Sequence, residues 1–239
     1  ALYAGVVGSG VIAGWLGQHY GWRAAFWAFG AAGLLLAGGL QRRLRDTVPP
    51  NKENRPRLAE VVGTLARTPS VAFVSAGLGA LIFVNVGYLA WMPTHLYERF
   101  GLSMVQAGFA SMFYHHAAAL CGVLLGGWLS DRIACRRASG RMELQAAALL
   151  AAAPSLYFLG STSTLGGTLC FLGGFGFFRG VYEASIYATL YQVVKPQLHA
   201  SATALVSALA CLASSLAPVA LGAIKQSVGL SSGLSWLAA

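Results

Sequence analysis

The stretch "VQAGFASMFYHHAAALCGVLLGGWLSDRIACRR", residues 105–137, decides the fold. Residues 105–129 contain no Asp, Glu, Lys or Arg; then Asp131, Arg132, Arg136 and Arg137 crowd into a few positions. About 20 predominantly apolar residues cross a bilayer as a helix, so the run reads as a span ending in a short basic loop. The pattern recurs, which predicts further spans near 1–19, 23–41, 70–92, 144–160, 164–194 and 202–224, and a partial one at 232–239. Hydrophobic residues make up 56% of the chain and charged residues 10%, and the mean hydropathy is +0.63. A soluble domain carries about a quarter charged residues. The expectation is therefore an all-α, polytopic membrane helical bundle of seven full spans and one partial span, rather than an apolar soluble bundle.

Ala1 already lies inside a span, no signal peptide is visible, and the last span stops at Ala239. The reading is of a piece of a longer protein, cut at both ends.

The net charge of +9 does not point to nucleic acid, because the chain has no basic stripe with interleaved aromatics. Arg42, Arg43, Arg45, Lys52, Arg55, Arg57 and Arg67 share one loop; Arg132, Arg136, Arg137 and Arg141 share another; Lys195 lies in a third. The alternate loops hold Arg23, Arg99 and Lys225. Positive residues accumulate on the cytoplasmic side of a membrane. The basic loops are thus expected in the cytoplasm, against anionic lipid head groups, with the chain in a plasma membrane of the bacterial inner-membrane kind. Cys121, Cys135, Cys170 and Cys211 form no CxxC pair and read as packing residues. Trp15, Trp22, Trp27, Trp91, Tyr97 and Trp128 near span ends fit interfacial anchoring.

The longest polar stretch, 41–69, reads as a linker, with "RLAEVVGTLAR" (57–67) as a short amphipathic helix on the inner membrane face. It divides 1–41, two helices of one bundle, from 70–239, a second bundle whose last helix is truncated; 42–69 is the cytoplasmic connection. A faint internal repeat supports the division. Gly14 and Gly21 close the first span and its turn, and Gly222 and Gly229 do the same, both pairs offset by 208 residues. Six helices per repeat would make the first span the fifth helix of twelve, an arrangement of parallel repeats used by transporters. The glycines of the first span and Gly173, Gly176, Gly180 and Ala184 of the sixth read as contact residues, because small residues let backbones approach in lipid.

In "GGWLSDRIACRR" (126–137), Asp131 can pair with arginines or cap a helix, making contacts that hold in one arrangement of a bundle and break in another. The bland alternative is an ordinary basic loop. The stretch resembles the signature loop of the major facilitator superfamily, G-x-x-x-D-R-x-G-R-R, which lies between that family's second and third helices and recurs in degenerate form between its eighth and ninth. Gly127, Asp131, Arg132 and Arg136 match it; Ala134 stands where the pattern has glycine and Cys135 where it often has a basic residue. These departures suit the degenerate copy, so the chain resembles that family from about its fifth helix to the start of its twelfth. The resemblance makes those four residues a gating loop. "GWLGQHYGWRAAFWAFG" (14–30) is similar to the turn between the family's fifth and sixth helices. Gly10 is followed by Val11, not by the proline usual in drug/proton antiporters. "WMPTHLYERFGLSMVQAG" (91–108), with Trp91, Pro93 and Leu96, resembles the anion:cation symporters, and 177–205 resembles both that group and the spinster-like carriers.

Arg179 and Glu183 lie deep in the run 164–194. Spaced i,i+4, they share a helix face and can pair; Tyr187 continues that face and Tyr182 borders it. Ionisable residues inside membranes face a bundle interior or a water-filled cavity, and the resemblance places this helix among the cavity-lining set. One reading is that Arg179 binds an anionic substrate, with Glu183 as its counter-ion or proton carrier; the other is a permanent structural pair. His115 and His116 are proton-coupling candidates, although adjacent helical positions diverge by about 100°, so one at most faces the cavity. Packing histidines are the alternative. Asn85 and Tyr88, with Tyr114 as a lesser candidate, are polar groups that should face protein or cavity.

No Gly-rich phosphate loop, metal-ligand spacing or Ser/His/Asp set is present, so no enzyme chemistry, metal or cofactor is expected. The expected function is secondary active transport of a small organic anion by alternating access, coupled to H+ in symport. The runner-up is efflux of an amphiphilic or lipid-like substrate. An intramembrane enzyme and a transport-dead receptor are more distant alternatives.

Overall fold

The computed structural model describes residues 2–43, 58–137 and 139–236. The proline- and basic-rich part of the expected linker, 44–57, and the end of the last expected span, 237–239, lie outside the described residues. The chain divides into two compact units, Ala1–Arg55 and Pro56–Ala239.

The first unit pairs α1 (Leu2–Tyr20) with α2 (Trp22–Arg43). The second contains α3 (Leu58–Ala66), α4 (Pro69–Phe100), α5 (Met104–Ala134), α6 (Gly140–Ser161), α7 (Leu165–Glu183), α8 (Ile186–Val193), α9 (His199–Ser214), α10 (Ala217–Val228) and α11 (Leu230–Trp236). Five described segments are long and apolar enough to cross a membrane: Trp22–Arg43, Pro69–Phe100, Met104–Ala134, Gly140–Ser161 and Pro196–Gln226. Large apolar side chains such as Phe26, Trp27, Phe73, Leu124, Leu150 and Leu212 lie on their outsides, as lipid-facing surfaces require.

Local chemistry sets the helix ends. Ser103 and Gln106 form a reciprocal capping box at the start of α5, and Thr164 accepts the Gly167 N–H at the start of α7. The glycine repeat has a structural counterpart. Gly21 (φ +82°) and Gly229 (φ +86°) both take a positive φ, which glycine adopts about as readily as a negative one. Their N–H groups bond to the carbonyls of Gly17 and Lys225 at 3.1 and 3.2 Å, and the next helix opens one residue later in each case.

Two expected spans are not single helices. The run 164–194 breaks at Ala184–Ser185 into α7 and α8, and 202–224 breaks near Ser215–Leu216 into α9 and α10. The second break precedes Pro218, which has no N–H to continue a helix. The first contains neither glycine nor proline and is held by a tertiary contact described below. Within the expected segment 57–67, Leu58–Ala66 is helical as α3, with Val61 and Leu65 buried in the core.

The second unit has two apolar layers. One gathers Val61, Leu65, Val74, Leu81, Val181 and Ile186; the other gathers Tyr88, Met92, Leu156, Leu172, Phe175 and Leu234. α4 passes from the first layer at Leu81 to the second at Tyr88, and α7 makes the same crossing between Val181 and Phe175. Asn85 and Arg179 fall in these intervals, so the polar groups occupy the seam between the layers.

The closest helix pair is α5 with α7, which run parallel. A Cβ on Gly122 would strike the Phe177 carbonyl, one on Gly180 the Ala119 carbonyl, one on Gly176 the His115 carbonyl, and one on Gly126 would lie 2.6 Å from Val181 Cα. Two G-x-x-x-G segments, 122–126 and 176–180, thus meet backbone to backbone. This is the packing expected of the small residues in the sixth span.

Candidate functional site

Backbone proximity at Gly176 brings α5 against α7 at His115. A Cβ on Gly176 would also sit 2.9 Å from His115 Nδ1, so the glycine leaves room for the imidazole. A continuous polar chain is assembled there from three helices. Arg179 Nη2 donates to Glu183 Oε1 at 2.5 Å. Arg179 Nη1 contacts His115 Nε2 at 3.0 Å. His115 Nδ1 is hydrogen bonded to the Tyr88 hydroxyl on α4. Tyr88 and His115 are fully buried, while the Arg179 and Glu183 side chains are 11% and 25% exposed.

The chemistry of these groups assigns the protons. A guanidinium only donates hydrogen bonds, so His115 Nε2 accepts. A neutral imidazole then carries its proton on Nδ1 and donates it to Tyr88 oxygen. Protonation of Nε2 and the bond from Arg179 exclude one another, because the proton would occupy the same lone pair.

Phe175 seals the layer from the side, stacked on His115 at 6.1 Å and edge-on to Tyr88 at 5.1 Å between ring centroids. Asn85, one turn before Tyr88 on α4, has a buried Oδ1 with no partner among the described residues. His116 is also buried but bonds through Nδ1 to the Met112 carbonyl of its own helix at 2.9 Å, so the two histidines diverge as the helical rotation requires. Tyr114 is exposed beside Phe113.

Two expectations about the arginine face change. Tyr187 is not on the same helix as Arg179, because the helix breaks before it; its hydroxyl lies 3.4 Å from Ser207 Oγ on α9. Tyr182 is buried in the first apolar layer, its hydroxyl over Gly77.

The sequence reading missed Gln145 of α6. This buried amide donates through Nε2 to Ser185 Oγ at 3.0 Å and Thr189 Oγ1 at 2.9 Å. It thereby ties the break after Glu183 to a neighbouring helix, and its position in an apolar run was the available signal. Gln145→Leu should strand two buried hydroxyls, at a cost of ~1–3 kcal/mol each at most. A clear fall in the thermal midpoint of the purified protein is expected; an unchanged midpoint would show that the break does not depend on Gln145.

At the basic turn, Asp131 pairs with Arg141 across the turn, Oδ1 to Nη2 at 3.0 Å, rather than with Arg132, Arg136 or Arg137. Arg132 instead lies over the Trp128 ring at 5.2 Å. Arg136 is exposed, and a Cβ on Gly127 would meet open space. At the opposite ends of α4 and α10, Lys225 pairs with Glu98 at 2.7 Å and covers Trp91.

Comparison with known proteins agrees with this architecture. Residues 1–218 match the model of the Major Facilitator Superfamily. An MFS-type efflux pump of Mycolicibacterium smegmatis is 25% identical over 95% of this chain and 53% of its own length. The probable galactarate/D-glucarate transporter GudP of Bacillus subtilis is 26% identical over 55% of this chain and 34% of its own. The chain thus spans about half, or less, of these curated relatives. Among solved structures, a bacterial homologue of the human lysosomal transporter Spinster, inward-facing and unoccupied, superposes with a TM-score of 0.67 at 22% identity, over 95% of this chain and 53% of that one. Its inward-facing, occupied form gives 0.61 at 20% identity, over 97% and 54%. A polytopic helical membrane protein matched along most of its length in this way, the chain belongs to the major facilitator superfamily of membrane transporters.

Proposed function

We propose that the protein carries a small organic anion across the membrane by alternating access, in symport with H+, and that Arg179 holds the anion. The observation that carries this reading is the Arg179 guanidinium, set in the seam between two apolar layers and engaged by one carboxylate and one imidazole. A guanidinium offers a planar fork matched to a carboxylate or phosphate. An arriving anion competes with Glu183 for that fork. Two carboxylates around one arginine leave a net negative charge in an apolar layer, which is costly, and a proton on Glu183 removes it. Anion and proton therefore enter together. His115 is the second candidate acceptor, since turning Arg179 toward the anion frees its Nε2. The relation to a protein named for galactarate/D-glucarate transport supports an acidic substrate. Asn85 and Tyr88 stand on the same face as further polar contacts; Tyr187, Tyr182 and His116 are less central, for the placements given above.

In this reading the first unit supplies the last two helices of one half of the transporter, and the second unit supplies most of the other half. The basic loops lie in the cytoplasm, and Gly127, Asp131, Arg132 and Arg136 belong to a loop whose Asp131–Arg141 contact is made and broken as the halves rock.

A second reading, efflux of an amphiphilic compound, is favoured by one observation: the efflux pump matches 95% of this chain. The test is uptake of a panel of small carboxylates and sugar phosphates by the full-length protein in liposomes, with and without an inward proton gradient. Gradient-driven accumulation of one anion is expected. No uptake of any anion, with proton-driven extrusion of a hydrophobic compound, would replace the first reading with the second.

A further inference from the structure

The turn after α5 closes a groove as well as a latch. On α5, Leu125, Trp128 and Leu129 share one face, and Arg132 continues it one turn later. On α6, Leu144 and Ala151 share one face, and Arg141 begins it. Leu125, Trp128, Leu129, Leu144 and Ala151, with Phe178 of α7, line an apolar groove of about 490 Å³, within the ~300–1,000 Å³ range of sites that take a small ligand; Arg132 and Arg141 lie just beyond this lining. Both helical faces end in an arginine at the same mouth.

That mouth is positively charged and incompletely bonded. Arg132 lies over Trp128, a wall of the groove, at 5.2 Å. Arg141 spends Nη2 on Asp131, while its Nε is buried with no hydrogen-bond partner among the described residues. Asp131 is the carboxylate at the turn, and its side chain is 77% exposed. Arg136 and Arg137 add exposed positive charge. An apolar slot ending beside cationic side chains, of which Arg132 lies over a wall of the slot and Arg141 has one nitrogen, Nε, unpartnered among the described residues, has the complementary form of an anionic phospholipid. Arginine forks favour phosphate oxygens, and a fully apolar groove suits an acyl chain.

We infer that the groove between α5, α6 and α7 binds one anionic phospholipid of the surrounding bilayer, its acyl chain along Leu125, Trp128 and Leu144 and its phosphate between Arg132 and Arg141. The bound lipid would bridge the two helices that carry the Asp131–Arg141 contact.

The test uses the full-length protein in phosphatidylcholine nanodiscs doped with phosphatidylglycerol or phosphatidylcholine brominated on the acyl chain. The readout is the fluorescence quenching lost on Trp128→Phe. Quenching of Trp128 should reach its midpoint at a roughly tenfold lower mole fraction of brominated phosphatidylglycerol, given that each basic residue near a membrane surface favours anionic lipid. R132Q with R141Q should equalise the two lipids, and R132Q alone should narrow the difference if the double variant does not assemble. Ala151→Phe, which fills the groove and keeps both arginines, should reduce quenching by the anionic lipid. Equal quenching by both lipids in the wild type, or a preference undiminished in R132Q, would overturn the inference.

Discussion

Gly180→Leu should abolish the assembled fold. A Cβ at position 180 points into the Ala119 carbonyl and the Val123 amide of α5. These backbone atoms cannot rotate aside as a neighbouring side chain could. Overpacking a core costs ~1–3 kcal/mol where side chains can yield, and the crossing at Gly122, Gly126, Gly176 and Gly180 offers mostly backbone. The sharper version compares two neighbours. Gly126→Ala meets Val181 Cα, whereas Gly127→Ala meets nothing within 4 Å. The first should lower the thermal midpoint in detergent by on the order of 5 °C and the second should leave it in place. Equal behaviour of the two variants would mean that α5 and α7 do not meet at this register.

The second large effect is electrostatic. Arg179 and Glu183 are part-buried, and removing one member of a buried pair leaves an uncompensated charge, at ~3–5 kcal/mol. Arg179→Gln should be severely destabilising, because Glu183 then sits in an apolar seam without the guanidinium. Glu183→Gln should cost less, since His115 still accepts from Arg179. The double variant should be more stable than Arg179→Gln alone, because it removes both charges together. A thermal double-mutant cycle measures this, and strictly additive losses would show that the two side chains do not act as a pair.

The parts of the fold legible in the sequence are those with local causes. The apolar run 105–129 and the charges after it foretell α5 and its end, because a span needs only length and hydropathy. The glycine offset that recurs at Gly21 and Gly229 foretells two equivalent turns, because both positions need φ above zero. The i,i+4 spacing foretells the Arg179–Glu183 pair, because helical geometry alone brings the two together. The remainder has distant causes. Nothing near Ala184–Ser185 breaks a helix; the hydroxyls of Ser185 and Thr189 are held by Gln145, forty residues away in the chain. With the break unseen, the sequence reading carries one helical register from Arg179 to Tyr187, which the two helices α7 and α8 do not share. The link from Arg179 to His115 depends on how closely α7 approaches α5, which Gly176 permits but cannot announce. Asp131 finds Arg141 rather than its nearer arginines because α6 begins just across the turn and presents that side chain back to it.

Arg179 as the anion's partner is the central claim, and one measurement bears on it most directly. Proton-driven uptake of the best substrate from the panel is compared among wild-type, Arg179→Gln, Glu183→Gln and doubly substituted full-length protein, each reconstituted at equal amounts of folded carrier. The account predicts that the double variant, although its fold recovers, remains unable to accumulate the anion, because a glutamine fork carries no charge for it. Accumulation at the wild-type rate by the double variant would show that Arg179 and Glu183 hold the helix and nothing more.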